Sequence, residues 1–113
     1  MAVQGIYATI SVSDLERSID WYTKLMGSPP RDRPTDFLAQ WRGGRANLQL
    51  WKDDANAGHS MSTIVFTDLG GDHRRIAASG IRIGEIKQMG PVRIAKASDP
   101  DGNVLTLTEG PED

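Results

Sequence analysis

Cysteine is missing from all 113 residues, which excludes a disulfide framework, a thiolate nucleophile and a sulfur-ligated zinc, and makes the cytoplasm the expected location. No stretch approaches the roughly 20 apolar residues of a membrane-spanning helix. The opening MAVQGIYATISVSD also lacks a basic region followed by a sustained apolar run, so a soluble chain without a cleaved leader or a membrane partner is expected. Strong charge of one sign is absent too. With 13 basic and 15 acidic side chains the net charge is -2, and the basic residues are dispersed apart from Arg74 and Arg75, so no nucleic acid partner is expected. There is no Ser/His/Asp arrangement, no paired carboxylates in a motif and no phosphate-cradling glycine loop. Aromatics are few, but three of the seven are tryptophan.

What is present is a pattern written twice. From Gly5 to Val12, Ile6, Ala8, Ile10 and Val12 alternate with Tyr7, Thr9 and Ser11, as a half-buried strand requires. Ser13 followed by Glu16 has capping-box spacing, and Leu15, Ile19, Tyr22 and Leu25 or Met26 recur at helical spacing until Gly27, Pro29 and Pro30 end the helix. Extended segments are expected near 31–33, 37–42 and 46–51, with Gly43 and Gly44 turning the last hairpin. The polar stretch 53–59 reads as a linker between modules 1–52 and 60–113. The second module repeats the order: a strand over 61–67, a helix capped by Asp68 and ending near Gly80, then strands over 81–86, 92–97 and 104–108. Val12 aligns with Thr67, and Ser13 with Asp68. Asp99-Pro100-Asp101-Gly102 is a turn signal joining the last two strands.

SVSDLERSIDWYTKLMG near the start and ASDPDGNVLTLTE near the end resemble the glyoxalase, bleomycin-resistance and extradiol-dioxygenase group, the vicinal oxygen chelate superfamily. The resemblance covers essentially the whole chain. It implies an α+β fold of two βαβββ modules forming curved mixed sheets around a cleft, with helices outside. Leu48, Leu50, Leu105 and Leu107 then join Ile6, Ala8, Ile10 and Val12 against the helices. Asn47, Gln49, Trp51, Val104, Thr106 and Thr108 face the cleft, and Ser62, Ile64 and Phe66 add an apolar patch to it.

Metal-binding members of the group place ligands on the first and last strand of each module. Carried over by the local motifs, those positions fall on Tyr7, Gln49, Ser62 and Thr106, which replace imidazoles and carboxylates by a phenol, an amide and two hydroxyls. No metal, cofactor or catalytic residue is therefore expected. His59 falls in the linker and His73 on or beside the second helix, where each reads as surface or packing. Trp21 reads as core. Trp51 is aimed by alternation toward the cleft, where it either stacks on a ligand or packs, and Trp41 is ambiguous because its register is open. Asp36, Arg42 and Arg93 read as solvated rim.

The candidate ligand-binding set is Tyr7, Thr9, Trp41, Asn47, Gln49, Trp51, Ser62, Ile64, Phe66 and Thr106. The function expected from it is metal-independent binding or sequestration of a small aromatic organic molecule or antibiotic. The alternatives are a metal-independent isomerase or lyase of a carbonyl compound, with Tyr7 polarising the substrate, and a non-catalytic structural or regulatory protein. A homodimer is expected, because the resembling proteins usually pair two chains.

Overall fold

The alternation that begins the chain makes a shorter strand than expected, β1 (Ala8–Val12), in the computed structural model, which describes residues 2–110. The first and last few positions of the two modules, residue 1 and residues 111–113, lie outside the described residues. β1 pairs in parallel with β4 (Leu48–Lys52), from Ala8 opposite Leu48 to Val12 opposite Lys52. Before Ala8 there is no β4 left to pair with, so Ile6 is 79% exposed rather than packed against a helix.

Between them, α1 (Leu15–Met26) buries Leu15, Ser18, Tyr22 and Leu25, a stripe at helical spacing. β2 (Asp32–Thr35) and β3 (Leu38–Trp41) follow, giving a sheet of order β1-β4-β3-β2. The second module repeats this with β5 (Met61–Phe66), α2 (Leu69–Ala78), β6 (Lys87–Met89), β7 (Val92–Ser98) and β8 (Val104–Glu109), in sheet order β5-β8-β7-β6. Each sheet is mixed. Its first and last strands run parallel because a helical crossover joins the module's first strand to its hairpins. No helix among the described residues is long and apolar enough to cross a membrane.

The cap of α1 is Asp14, whose carboxylate accepts from the Arg17 N–H at 3.1 Å, and not Ser13. Ser13 is drawn away because its N–H and hydroxyl both bind the Asp101 carboxylate across the molecule. Asp68 caps α2 in the same way, accepting from the Gly71 N–H. A Cβ on Gly71 would stand 2.5 Å from that carboxylate, so the glycine that lowers helix propensity also lets the cap close. The true repeat therefore aligns Asp14 with Asp68 and Val12 with Phe66, one residue away from the alignment expected from sequence.

The expected strand over 81–86 is reduced to a single bridge from Ile83 to Ala97. The strand forms instead at Lys87–Met89, where Gly90, at φ 57°, turns the chain back into β7. Ile81 is buried, and Ile83 and Ile86 pack partly buried against the core.

A single core joins the modules, running from Ile10, Val12, Tyr22 and Leu50 to Leu69, Ile76, Leu105 and Leu107. Among the described residues, one carboxylate sits within it, Asp99, which is 5% exposed. Asp99 accepts from the Tyr22 hydroxyl at 2.7 Å, the Asn103 side-chain amide at 2.8 Å, and the N–H groups of Asp101 and Asn103 at 2.9 Å each. Arg75 of α2 adds a second tie, donating to the carbonyls of Lys24 and Leu25 at the end of α1.

Burial first, then the charge and hydrogen bond of Asp99, push the Tyr22 hydroxyl well above the ordinary tyrosine range. Its stabilising effect is complete below pH about 10, where an unfolded tyrosine is also protonated. It is lost as pH rises further, because the unfolded chain releases a proton that the folded chain retains. Tyr22→Phe is predicted to destabilise the fold by about 1–3 kcal/mol near neutral pH. Urea denaturation should show that deficit holding up to pH about 9 and shrinking above pH about 10, and a deficit that does not shrink there would contradict the assignment.

Candidate functional site

On the face of the first sheet that turns away from the helices, register places Thr9, Gln49 and Gln40 side by side on β1, β4 and β3. The Gln49 amide donates to the Thr9 hydroxyl oxygen at 2.9 Å, and its carbonyl oxygen accepts from the Gln40 amide at 3.0 Å. This ladder leaves the Thr9 hydroxyl proton and the Gln40 carbonyl oxygen as the free donor and acceptor at its two ends. The neighbouring row carries Ser11, Trp51 and Leu38. Trp51 is 39% exposed and tilted against Phe37, with ring centroids 5.2 Å apart. A polar ladder thus lies beside an aromatic pair on one open surface, with the Asp32–Arg42 ion pair farther along the same sheet.

Of the expected site residues, Thr9, Gln49 and Trp51 share this surface, and Tyr7, half-buried, immediately precedes it. Thr106 lies on the corresponding open face of the second sheet, between Thr63 and Lys96. Trp41 does not share this face. It is 5% exposed, its indole N–H donates to the Ser28 carbonyl at 2.8 Å, and its ring meets Tyr22. The β3–β4 register pairs Trp41 with the inward-facing Leu48, which sends Gln40 outward in its place.

Ser62, Ile64 and Phe66 are likewise turned from the expected face. They pair with Leu105, Leu107 and Glu109, and Ile64 and Phe66 pack against the core, so the open face of β5 carries Met61, Thr63 and Val65. The cause is the one-residue slip in the repeat, since a shift of one reverses every side chain of a strand. Ser62, Ile64, Phe66 and Asn47 instead help line a cavity of about 960 Å³ at the β5 edge, together with Ala8, Met26, Leu48 and Arg45, and Thr63 and Val65 of the open face border it.

Gln40 and Phe37 were missed by reading the sequence alone. The pairing of Trp41 with Leu48 across the Gly43–Gly44 hairpin is the signal that finds Gln40, whereas the Phe37 contact is set by the turn before β3.

The four positions expected to replace metal ligands do not form a metal site. Ser62 points away from Thr106, both ends of the Gln49 amide are already hydrogen-bonded, and neither hydroxyl nor phenol supplies a strong ligand. Among the described residues, no three His, Cys, Asp or Glu side chains come together to hold an ion. His59 is exposed in the segment between β4 and β5, and His73 meets the Gly84 carbonyl at 2.8 Å. The arrangement is equipped for hydrogen bonding and stacking.

Against known proteins, residues 6–107 match the model of the Glyoxalase/Bleomycin resistance protein/Dioxygenase superfamily. The chain belongs to this superfamily. No curated protein matches it. Among solved structures it is similar to a glyoxalase/bleomycin resistance protein from Catenulispora acidiphila. That structure has 26% identity and a TM-score of 0.85, with 94% of this chain and 97% of that one covered. TnmS3, an antibiotic-binding protein from Streptomyces sp. CB03234, has 27% identity and a TM-score of 0.80, with 98% and 99% covered. The bleomycin-binding protein of Streptomyces verticillus, complexed with copper(II)-bleomycin, shares the fold at 19% identity and a TM-score of 0.80, with 98% and 99% covered.

For this member of the superfamily, the donor set predicts that elemental analysis after dialysis finds zinc, nickel, iron and manganese well below one per chain. Chelator should leave the thermal midpoint unchanged, because no ligand–metal bond contributes to folding. One tightly retained ion per chain would contradict this.

Proposed function

We propose that the protein binds a small aromatic organic molecule, of the antibiotic class, and sequesters it without transforming it. The observation that carries this is the Thr9–Gln49–Gln40 ladder beside the Trp51–Phe37 pair. Together they offer a flat apolar contact and a fixed donor and acceptor, but no general base aligned with an acid and no metal ligand set. The likeness to TnmS3, which binds an antibiotic, supports the same reading. Tyr7 and Thr106 act as further polar anchors at its margins.

Modules 1–52 and 60–113, joined by 53–59, supply one open face each. The protein works as a homodimer that brings such faces together around the ligand. Support for this comes from the apolar side chains left bare on the second sheet, Met61, Val65 and Met89, and from Val3 and Ile6 ahead of β1. A cytoplasmic setting without nucleic acid or membrane partners fits the absence of cysteine and the net charge of -2.

Titration with bleomycin-type glycopeptides, anthracyclines, mitomycin-like quinones and simpler aromatic metabolites should quench tryptophan fluorescence saturably for at least one class. Trp51→Ala should weaken that binder about tenfold, the loss of one well-packed aromatic contact, while Trp21→Phe leaves its affinity within about twofold. A panel without any saturable response would defeat the proposal.

Light scattering on the eluted protein at micromolar concentration should report about twice the 12.4 kDa chain mass. A stable monomer that binds ligand with full affinity would remove the dimer from the account.

A further inference from the structure

The open face of the second sheet has a chemistry of its own. Along β7, Ala95 and Ala97 enter the core, so Ile94, Lys96 and Ser98 fall on the open side. Register sets Lys96 beside Thr106 and Thr106 beside Thr63, one row across three adjacent strands, each about 5 Å from the next. The row on one side carries Met61, Val104 and Ser98, and the row on the other carries Val65, Thr108, Ile94 and Lys87.

No acidic side chain stands in these three rows. Neither Lys96 nor Lys87 has a carboxylate within ion-pair distance among the described residues. Thr108 uses its hydroxyl on the Arg93 carbonyl at 2.9 Å, whereas Thr63 and Thr106 present theirs to the open face. An unpaired ammonium and two aligned hydroxyls, framed by exposed Met61 and Val65, are suited to an oxyanion attached to an apolar body.

We propose that the ligand of this protein carries an anionic oxygen group, held by Lys96 with Thr106 and Thr63, while its apolar part lies against Val65 and Met61. Strongly cationic molecules are then poor ligands, because the face offers them no counter-charge and two ammonium groups. This inference rests on the reading of the open faces as the binding surface, and extends it by fixing the charge of what is bound.

The test uses two fluorescent probes of similar shape, anionic anilinonaphthalene sulfonate and neutral phenylnaphthylamine, titrated into the full chain at low salt. Lys96→Gln, at an exposed position that should leave folding intact, is expected to weaken the sulfonate about tenfold, the value of a hydrogen bond to a charged group. The neutral probe should keep its affinity, and added salt should weaken only the sulfonate. Lys24→Gln on the outer side of α1 makes the same change in net charge and should alter neither affinity by more than about twofold.

The charge assignment is overturned if Lys96→Gln leaves the sulfonate unaffected, weakens both probes alike, or is matched by Lys24→Gln. Binding of the neutral probe alone would also overturn it while leaving the small-molecule reading standing. Failure of both probes to bind would count against that reading as well.

Discussion

Asp99 is the point on which the two halves turn. A carboxylate taken out of water must find donors for its lone pairs or destabilise the fold by several kcal/mol, and Asp99 finds four. One comes from α1 through Tyr22, and the others come from the β7–β8 turn itself. Asn103, fully buried, passes the connection onward by donating to the Ser11 carbonyl of β1 and accepting from the Ser60 N–H just before β5. One turn thereby fixes a helix and a strand of the first module and the entry into the second. Gly58, whose Cβ would stand 2.6 Å from the Asp101 carbonyl, lets the connecting segment close over the same turn. With the modules locked along this seam, the sheets are free to carry polar side chains on their far faces without cost to the core.

Those far faces decide the chemistry. On the first sheet the strands carry an amide ladder in which Gln49 is held from both sides, so its carbonyl is committed to Gln40 rather than available to a cation. On the second sheet, threonines and lysines occupy register positions without a neighbouring carboxylate. Both surfaces favour recognition by direction and charge over activation of a bond. The aromatic pair of Trp51 and Phe37 adds area where the polar ladder adds orientation.

Much of this was legible in the sequence because the signals were local. The alternation through β1, the helix stripe of Leu15, Tyr22 and Leu25, and the hairpin glycines each act over a few residues, and they place Thr9, Gln49, Trp51 and Thr106 on the expected faces. What escaped depended on distant partners. Ser13 has the right spacing to cap α1, but Asp101 competes for it from 88 residues away and Asp14 takes its place. That single displacement carried the repeat alignment one residue out of step, and with it the facing of Ser62, Ile64 and Phe66. Trp41 was undetermined for a similar reason, since its facing is set by pairing with Leu48 across a hairpin. The Gly90 turn that moves the sixth strand to Lys87–Met89 is masked in the sequence because Ile81 and Ile83 alternate with polar neighbours as a strand does, and Ile86 extends the apolar segment.

The central claim is that ligand is held on the open face by the glutamine ladder and Trp51, and the most direct measurement is a nitrogen–proton NMR titration with the tightest binder found. The account predicts that the side-chain amides of Gln40 and Gln49 and the indole of Trp51 shift together with saturation. The Trp41 indole, bound to the Ser28 carbonyl, and the Asn103 amide, buried at the module seam, should stay still. Shifts confined instead to the backbone amides of Arg45 to Leu48, beside the cavity at the β5 edge, with Gln40, Gln49 and Trp51 silent, would contradict it.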